Sequence, residues 1–155
     1  MAALAQMVNV IQSVLLTEGE KMIKTPTYHV MHMYRHHQDA DLLESALTGV
    51  EEIGIGEWTV PMVTESVSMN AEGVITITMN NLSVDATAEV DVILMEKGYQ
   101  VAEAKVVTEE DYHAHNTFDA PEVVVETDFA DYELTEAGLL IKMPKNSVVE
   151  IRLAR

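Results

Sequence analysis

The chain has no cysteine among its 155 residues. A disulfide framework, a thiolate metal site and a cysteine nucleophile are therefore excluded. Aromatic residues make up only 5% and Trp58 is the single tryptophan. A dedicated saccharide-stacking surface would be expected to show more rings. Basic residues are also scarce, 9 Lys and Arg against 26 Asp and Glu, for a net charge of −17. So acidic a chain repels nucleic-acid phosphates and anionic membrane surfaces, which argues against partners of either kind. No apolar run is long enough to span a bilayer. Met1–Leu16 is apolar but carries Gln6, Asn9 and Gln12 and no basic start, unlike a secretory signal, so cytoplasmic placement is favoured. A Gly-rich phosphate loop, a nucleophile elbow and an HExxH motif are missing. No feature calls for a cofactor.

What is present is unevenly spread. Residues 1–40 hold Lys21, Lys24 and Arg35 against Glu18, Glu20 and Asp39, and are neutral. The whole charge of −17 lies in residues 41–155. Hydrophobic residues reach 48%, which excludes an acidic disordered chain. The expected organisation is a neutral head, 1–40, and an acidic body, 41–155.

The head reads as helical. Ala3, Leu4, Met7, Val8, Val10 and Ile11 recur at helical spacing, which predicts a helix over 2–12. Thr17-Glu18-Gly19-Glu20 is a turn signal and Lys21–Lys24 a short strand. Thr25 followed by Pro26 suits an N-cap and first helical position, so 26–37 forms a second helix. From Leu42 the period changes to two. Trp58–Val60, Val67–Met69, Val74–Met79, Ala88–Val92, Tyr99–Val107, Val123–Glu126, Leu139–Met143 and Val148–Leu153 read as strands. Val74–Met79 alternates apolar residues with Thr, the pattern of a strand with one wet face. Asn70–Gly73 marks a hairpin turn. The body is thus expected to be an antiparallel β-sandwich. Two short apolar helices cannot build a core alone, so the head either packs on the sandwich or belongs to a larger body.

Three segments carry a resemblance. Residues 5–40 read AQMVNVIQSVLLTEGEKMIKTPTYHVMHMYRHHQDA, residues 115–121 HNTFDAP, and residues 142–153 KMPKNSVVEIRL. In this order they resemble the C-terminal end of α-L-arabinofuranosidases of glycoside hydrolase family 51. The resemblance covers most of the chain and is weakest over 41–65. It implies a mainly β fold: a jelly-roll-like sandwich preceded by two helices left from the end of a (β/α)8 barrel. Residues 2–12 would be the seventh barrel helix, 21–25 the eighth strand and 26–37 the eighth helix. The family releases terminal α-L-arabinofuranosyl groups from arabinan and arabinoxylan with retention. Retention needs an acid/base and a nucleophilic carboxyl about 5–5.5 Å apart. In the family both glutamates precede the segment matching 5–40, so the resemblance places no catalytic residue in this chain. Gly56-Glu57-Trp58 mimics a nucleophile motif in letters but falls outside the barrel segment.

Ends of barrel strands line the active site. Thr25, Thr27, Tyr28 and His29 are therefore candidate rim residues of a sugar pocket. The alternative is that Thr25 caps a helix while Tyr28 and His29 pack between barrel and sandwich. His32 and His36 share a helix face and are candidate metal ligands. They depart from the family pattern and have no evident third ligand, so packing or solvent roles are favoured. His113 and His115 share a face if 112–116 is extended, a weak metal signal. Within HNTFDAP, structural roles are expected: His115 beside them, Asn116 and Asp119 in turns, Phe118 as an anchor in the core or an interface. Trp58 is expected in the core or an interface. The runs Glu109-Glu110-Asp111 and Asp128, Asp131, Glu133 read as solvated acids, the latter a candidate calcium cluster.

Three functions compete. The first is a non-catalytic C-terminal accessory domain, a homo-oligomer through the apolar head, meeting arabinose-containing oligosaccharide only in the complete enzyme. The second is a free-standing carbohydrate-binding sandwich. The third is a short glycosidase using other carboxylates, with Glu18 and Glu20 as first candidates.

Overall fold

The computed structural model describes residues 6–155. Its architecture follows from alternation in the body. Strand β6 (Val63–Met69), β7 (Ile75–Asn81), β9 (Gln100–Thr108) and β13 (Ser147–Ala154) form the middle of a six-stranded antiparallel sheet. β3 (Asp41–Leu42) and β10 (Glu126–Asp128) close its edges, in the order β10-β9-β13-β7-β6-β3. A second sheet orders β11 (Tyr132–Leu134), β12 (Gly138–Met143) and β8 (Ala88–Ile93). Asn70 makes the β6–β7 turn as expected, its side chain accepting from the backbone N–H of Glu72 and Val74.

Every second residue on the facing strands is apolar. Ile75, Ile77 and Met79 of β7, Val149, Ile151 and Leu153 of β13, and Leu139, Ile141 and Met143 of β12 meet in one buried cluster. Each such side chain contributes about 1.5–3 kcal/mol through burial. The protein is thus a mainly β, antiparallel sandwich, as expected.

The head departs from expectation. Residues 6–12 are not helical; residues 2–5 lie outside the described part. Asn9 takes a left-handed φ of 55° and its side chain pairs with Thr17. The chain doubles back, so that Met7 O accepts from the backbone N–H of both Val14 and Leu15. These nonlocal bonds replace the i to i+4 ladder that the apolar spacing predicted. β1 (Leu15–Glu18) and β2 (Lys21–Lys24) then form an antiparallel hairpin around Gly19-Glu20. The only regular helix among the described residues is α1 (Pro26–Tyr34), which ends in a 3-10 turn over Arg35–His37. One helix therefore stands where two were expected.

The second correction concerns β7. Its threonine face is not wet: Thr76 and Thr78 are buried. The 3-10 turn covers this side of the sheet, with His37 Nε2 2.7 Å from Thr78 Oγ1 and Nδ1 2.7 Å from Ser68 Oγ. Met33 of α1 is fully buried with Val107 and Val124. The head thus packs on the sandwich. Val123–Val125, expected as strand, lead irregularly into β10, and Val124 serves this second core instead.

β4 (Glu52–Ile55) and β5 (Trp58–Pro61) form a separate hairpin. Gly54 has φ 153°, and a Cβ there would lie 1.9 Å from the carbonyl oxygen of Trp58. Gly54→Ala is expected to distort this hairpin at a local cost of about 1–3 kcal/mol. The fluorescence of the sole tryptophan should change, while the main melting transition stays near that of the parent.

Candidate functional site

The rim residues stand where β2 passes into α1. Thr25 occupies the N-cap position, with φ −84° and ψ 167°, but its side chain does not cap the helix. Its hydroxyl donates instead to the carbonyl oxygens of Ser13 (2.7 Å) and Val14 (3.1 Å). Pro26 begins the helix as expected, where its missing N–H costs nothing. Thr27, Tyr28 and His29 are half-buried along the first turn. Tyr28 stacks on His32 with ring centroids 5.9 Å apart and carries the Lys24 ammonium 4.7 Å from its own centroid. His29 meets the edge of Tyr28 at 5.3 Å. Burial lowers the His29 imidazole from its ordinary value, with Glu126 opposing the shift.

The HNTFDAP segment braces this junction from the sandwich side. Asn116 is buried, and its amide donates to the carbonyl oxygens of Lys24 and Val124, both at 2.9 Å. Its own oxygen accepts from the Val124 N–H at 2.7 Å. Asn116 is therefore a tie between β2 and the sandwich, where a turn residue was expected. Asp119 does lie in a turn, between Thr117 and Ala120, whose backbone groups pair at 3.0 and 3.2 Å. Phe118 is half-buried, and His115 is exposed with Nδ1 3.0 Å from His113 O. Residues 112–116 are not a strand, so His113 and His115 share no strand face.

His32 and His36 are each paired with a carboxylate. His32 Nδ1 lies 2.7 Å from Glu126 Oε2, and His36 Nδ1 2.7 Å from Glu150 Oε1. Tyr34 completes the seam by accepting from Asn80 Nδ2 at 3.1 Å. Among the described residues no group of three or more His, Cys, Asp or Glu is arranged to hold a metal ion. The candidate calcium acids are dispersed, and Asp128 is bonded to Lys105 at 2.7 Å. Glu150 was not singled out from the sequence. Its signal was visible: a carboxylate in the middle of the strand Val148–Leu153, where Arg152 is the only other charged residue.

Trp58 is not in the core. It is 80% exposed near the tip of the β4–β5 hairpin, opposite Ile55. Glu18 and Glu20 are exposed around the tip of the β1–β2 hairpin.

Fold and site together define an antiparallel sandwich that carries and braces a strand–helix junction. The family profile described as "Alpha-L-arabinofuranosidase C-terminal domain" matches residues 1–147. The chain belongs to this family. It is 35% identical over 154 residues to an intracellular exo-alpha-L-arabinofuranosidase of Bacteroides ovatus, spanning 99% of this chain and 30% of that protein. The solved GH51 arabinofuranosidase of Xanthomonas axonopodis pv. citri superposes with a TM-score of 0.91 at 32% identity, over 97% of this chain and 30% of that one. A family 51 enzyme of Bifidobacterium longum shares the fold at a TM-score of 0.86 and 18% identity, again over 97% and 30%. The chain thus spans about 30% of the length of these relatives. Among the described residues no helix is long and apolar enough to cross a membrane.

Proposed function

We propose that this chain is the accessory end of a retaining exo-acting α-L-arabinofuranosidase, and that its own task is to position the last barrel strand and helix. The complete protein would act in the cytoplasm on terminal α-L-arabinofuranosyl groups of arabinan and arabinoxylan fragments. Its two catalytic carboxyls would come from the rest of the barrel. The observation that carries this reading is the Asn116 tie, which joins the sandwich to the last residue of β2. In this reading residues 1–40 belong to the barrel and 41–155 to a jelly-roll sandwich. Thr25, Thr27, Tyr28 and His29 then form one edge of the sugar pocket. The exposed apolar residues of the head, Met7, Val8, Ile11, Met22 and Met31, support a covered surface there. In the isolated chain a second copy supplies that cover, and light scattering should show a dimer or larger species.

The decisive assay is cleavage of an aryl α-L-arabinofuranoside by the 155-residue chain. Background rate is expected. Turnover that survives purification controls, and that disappears on replacing Glu18 and Glu20 by Ala, would instead establish a short active glycosidase.

The exposed Trp58 favours one second reading, a saccharide-binding module. An exposed indole offers a face for sugar C–H groups. Because Trp58 is the only tryptophan, its emission reports this site directly. A blue shift and calorimetric heat on adding arabino-oligosaccharides would support the module; neither response would remove it.

A further inference from the structure

We propose that the contact between His36 and Glu150 is a proton-dependent clasp that seats α1 on the sandwich, making both positioning residues for the β2–α1 junction. Glu150 sits on β13, a central strand of the six-stranded sheet, and is 1% exposed. A carboxylate so placed needs a partner. Thr78 of β7 and Lys105 of β9 lie opposite it in the ladder. Lys105 is bonded to Asp128, and Arg152 of β13 to Glu103 of β9 at 2.8 Å. Arg35 on the 3-10 turn directs its guanidinium to the carbonyl oxygen of His32. His32 of α1 is paired with Glu126 of β10, and His37 with two hydroxyls. His36 is thus left as the side chain hydrogen-bonded to Glu150, at 2.7 Å.

The proton inventory of this pair decides its strength. With one proton beyond that of the neutral ring, the pair carries no net charge, whichever partner holds it. Without that proton the contact survives as an imidazole N–H donating to a carboxylate. A net negative charge is then buried near Glu103 and Glu126, which costs stability. Burial, reinforced by Glu103, pushes the Glu150 carboxyl from 4.5 up to about 7. Burial, reinforced by Arg152 and Arg35, holds the His36 imidazolium below its ordinary 6.5. The two titrations belong to the pair.

The pH dependence follows from the directions. Glu150 is raised, so its contribution is complete below the ordinary carboxylate value and is lost as pH rises through about 7. His36 is lowered, so its contribution is complete above 6.5 and is lost as pH falls through its folded value. The clasp is therefore tightest in weakly acidic to neutral solution and loosens above pH 7.

The test is a carbon-13 titration of glutamate carboxyl groups in the full 155-residue chain, with hydrogen exchange of the α1 amides. One carboxyl is expected to titrate near pH 7, and Glu150→Gln should remove that signal. Glutamine keeps an acceptor for the His36 N–H but does not titrate. Protection of α1, corrected for intrinsic exchange, should fall between pH 6.5 and 8 in the parent chain and stay level in Glu150→Gln. Titration of every glutamate in the ordinary range would overturn the clasp, as would the same pH dependence of protection in both chains. If Glu150→Gln does not fold, the parent titration together with His36→Gln decides: loss of the His36 contact should lower protection of α1 and alter the neutral titration. The consequence for a sugar pocket rests on the rim reading above. The titration is independent of that reading, so either can fail without the other.

Discussion

Ile151→Ala is expected to lower the unfolding free energy by about 3 kcal/mol. In a chain of this size that corresponds to a fall in melting temperature of roughly 6–12 °C. Ile151 is fully buried in the middle of β13, between Ile77 of β7 and Ala104 of β9 in the ladder. It belongs to the cluster that joins the two sheets through Leu139 and Ile141. Truncation removes buried methyl groups and leaves a cavity that neighbours on three strands cannot collapse to fill. The same change at Val148, one of the outward residues of this strand, removes a contact with the second core only and should cost less. Equal losses at the two positions, measured by thermal and denaturant unfolding, would contradict a core placed between the sheets.

The second large effect is expected at Asn116. Replacement by Ala leaves the carbonyl oxygens of Lys24 and Val124 and the N–H of Val124 without this partner. Each unsatisfied buried group costs about 1–3 kcal/mol, so a loss of roughly 3 kcal/mol is expected after partial relaxation. Asn116→Asp keeps the acceptor for Val124 but turns a second oxygen toward two carbonyl oxygens, and should be no better tolerated. The loss should be local as well as global. Hydrogen exchange at Val124 and along β2 should accelerate more than in β7 or β12. Uniform acceleration over the whole sandwich would show that the tie does not act at the junction. Under the proposed function, the same variant of the complete protein would raise KM for aryl arabinofuranosides, because a displaced β2 end would move the proposed rim residues Thr25 and Tyr28.

The strands of the body were legible because their signal is local. Ile75, Ile77 and Met79 alternate with Thr76, Thr78 and Asn80, and the pleat alone puts each set on its own face. What covered the second face was not legible. The threonines read as solvent-facing until the 3-10 turn was seen to lie on them through His37. The helix expected over 2–12 failed over 6–12 for the converse reason: its spacing was helical, but Asn9 and the bonds from Val14 and Leu15 to Met7 won. Trp58 illustrates the limit of composition. A lone tryptophan suggested a residue of the core or an interface; the short β4–β5 hairpin holds it outside the core, and the interface alternative stays open.

The site was legible in part. Thr25, Thr27, Tyr28 and His29 were singled out because the resemblance makes the short strand before them a barrel strand; Thr25 stands at the N-cap of α1 and the other three in its first turn, while their rim role belongs to the proposed function. Asn116 was expected in a structural or interface role, but its tie to Lys24 and the tie of Glu150 to His36 were not legible, since these partners are 92 and 114 residues away. His32 and His36 were read as sharing a helix face, but α1 ends at Tyr34, His36 lies in the 3-10 turn, and each meets a carboxylate from a different strand.

By itself the sequence determined that these 155 residues hold no cysteine chemistry, that residues 42–155 are β in character, and that a neutral head is joined to an acidic body. These depend on composition and on periods of two or three to four residues, which any short stretch displays. Only the tertiary structure decided that the head lies on the polar face of the six-stranded sheet, and that Asn116 and Glu150 hold it there. Such contacts join residues that local pattern cannot relate, and burial alone makes their polar groups consequential.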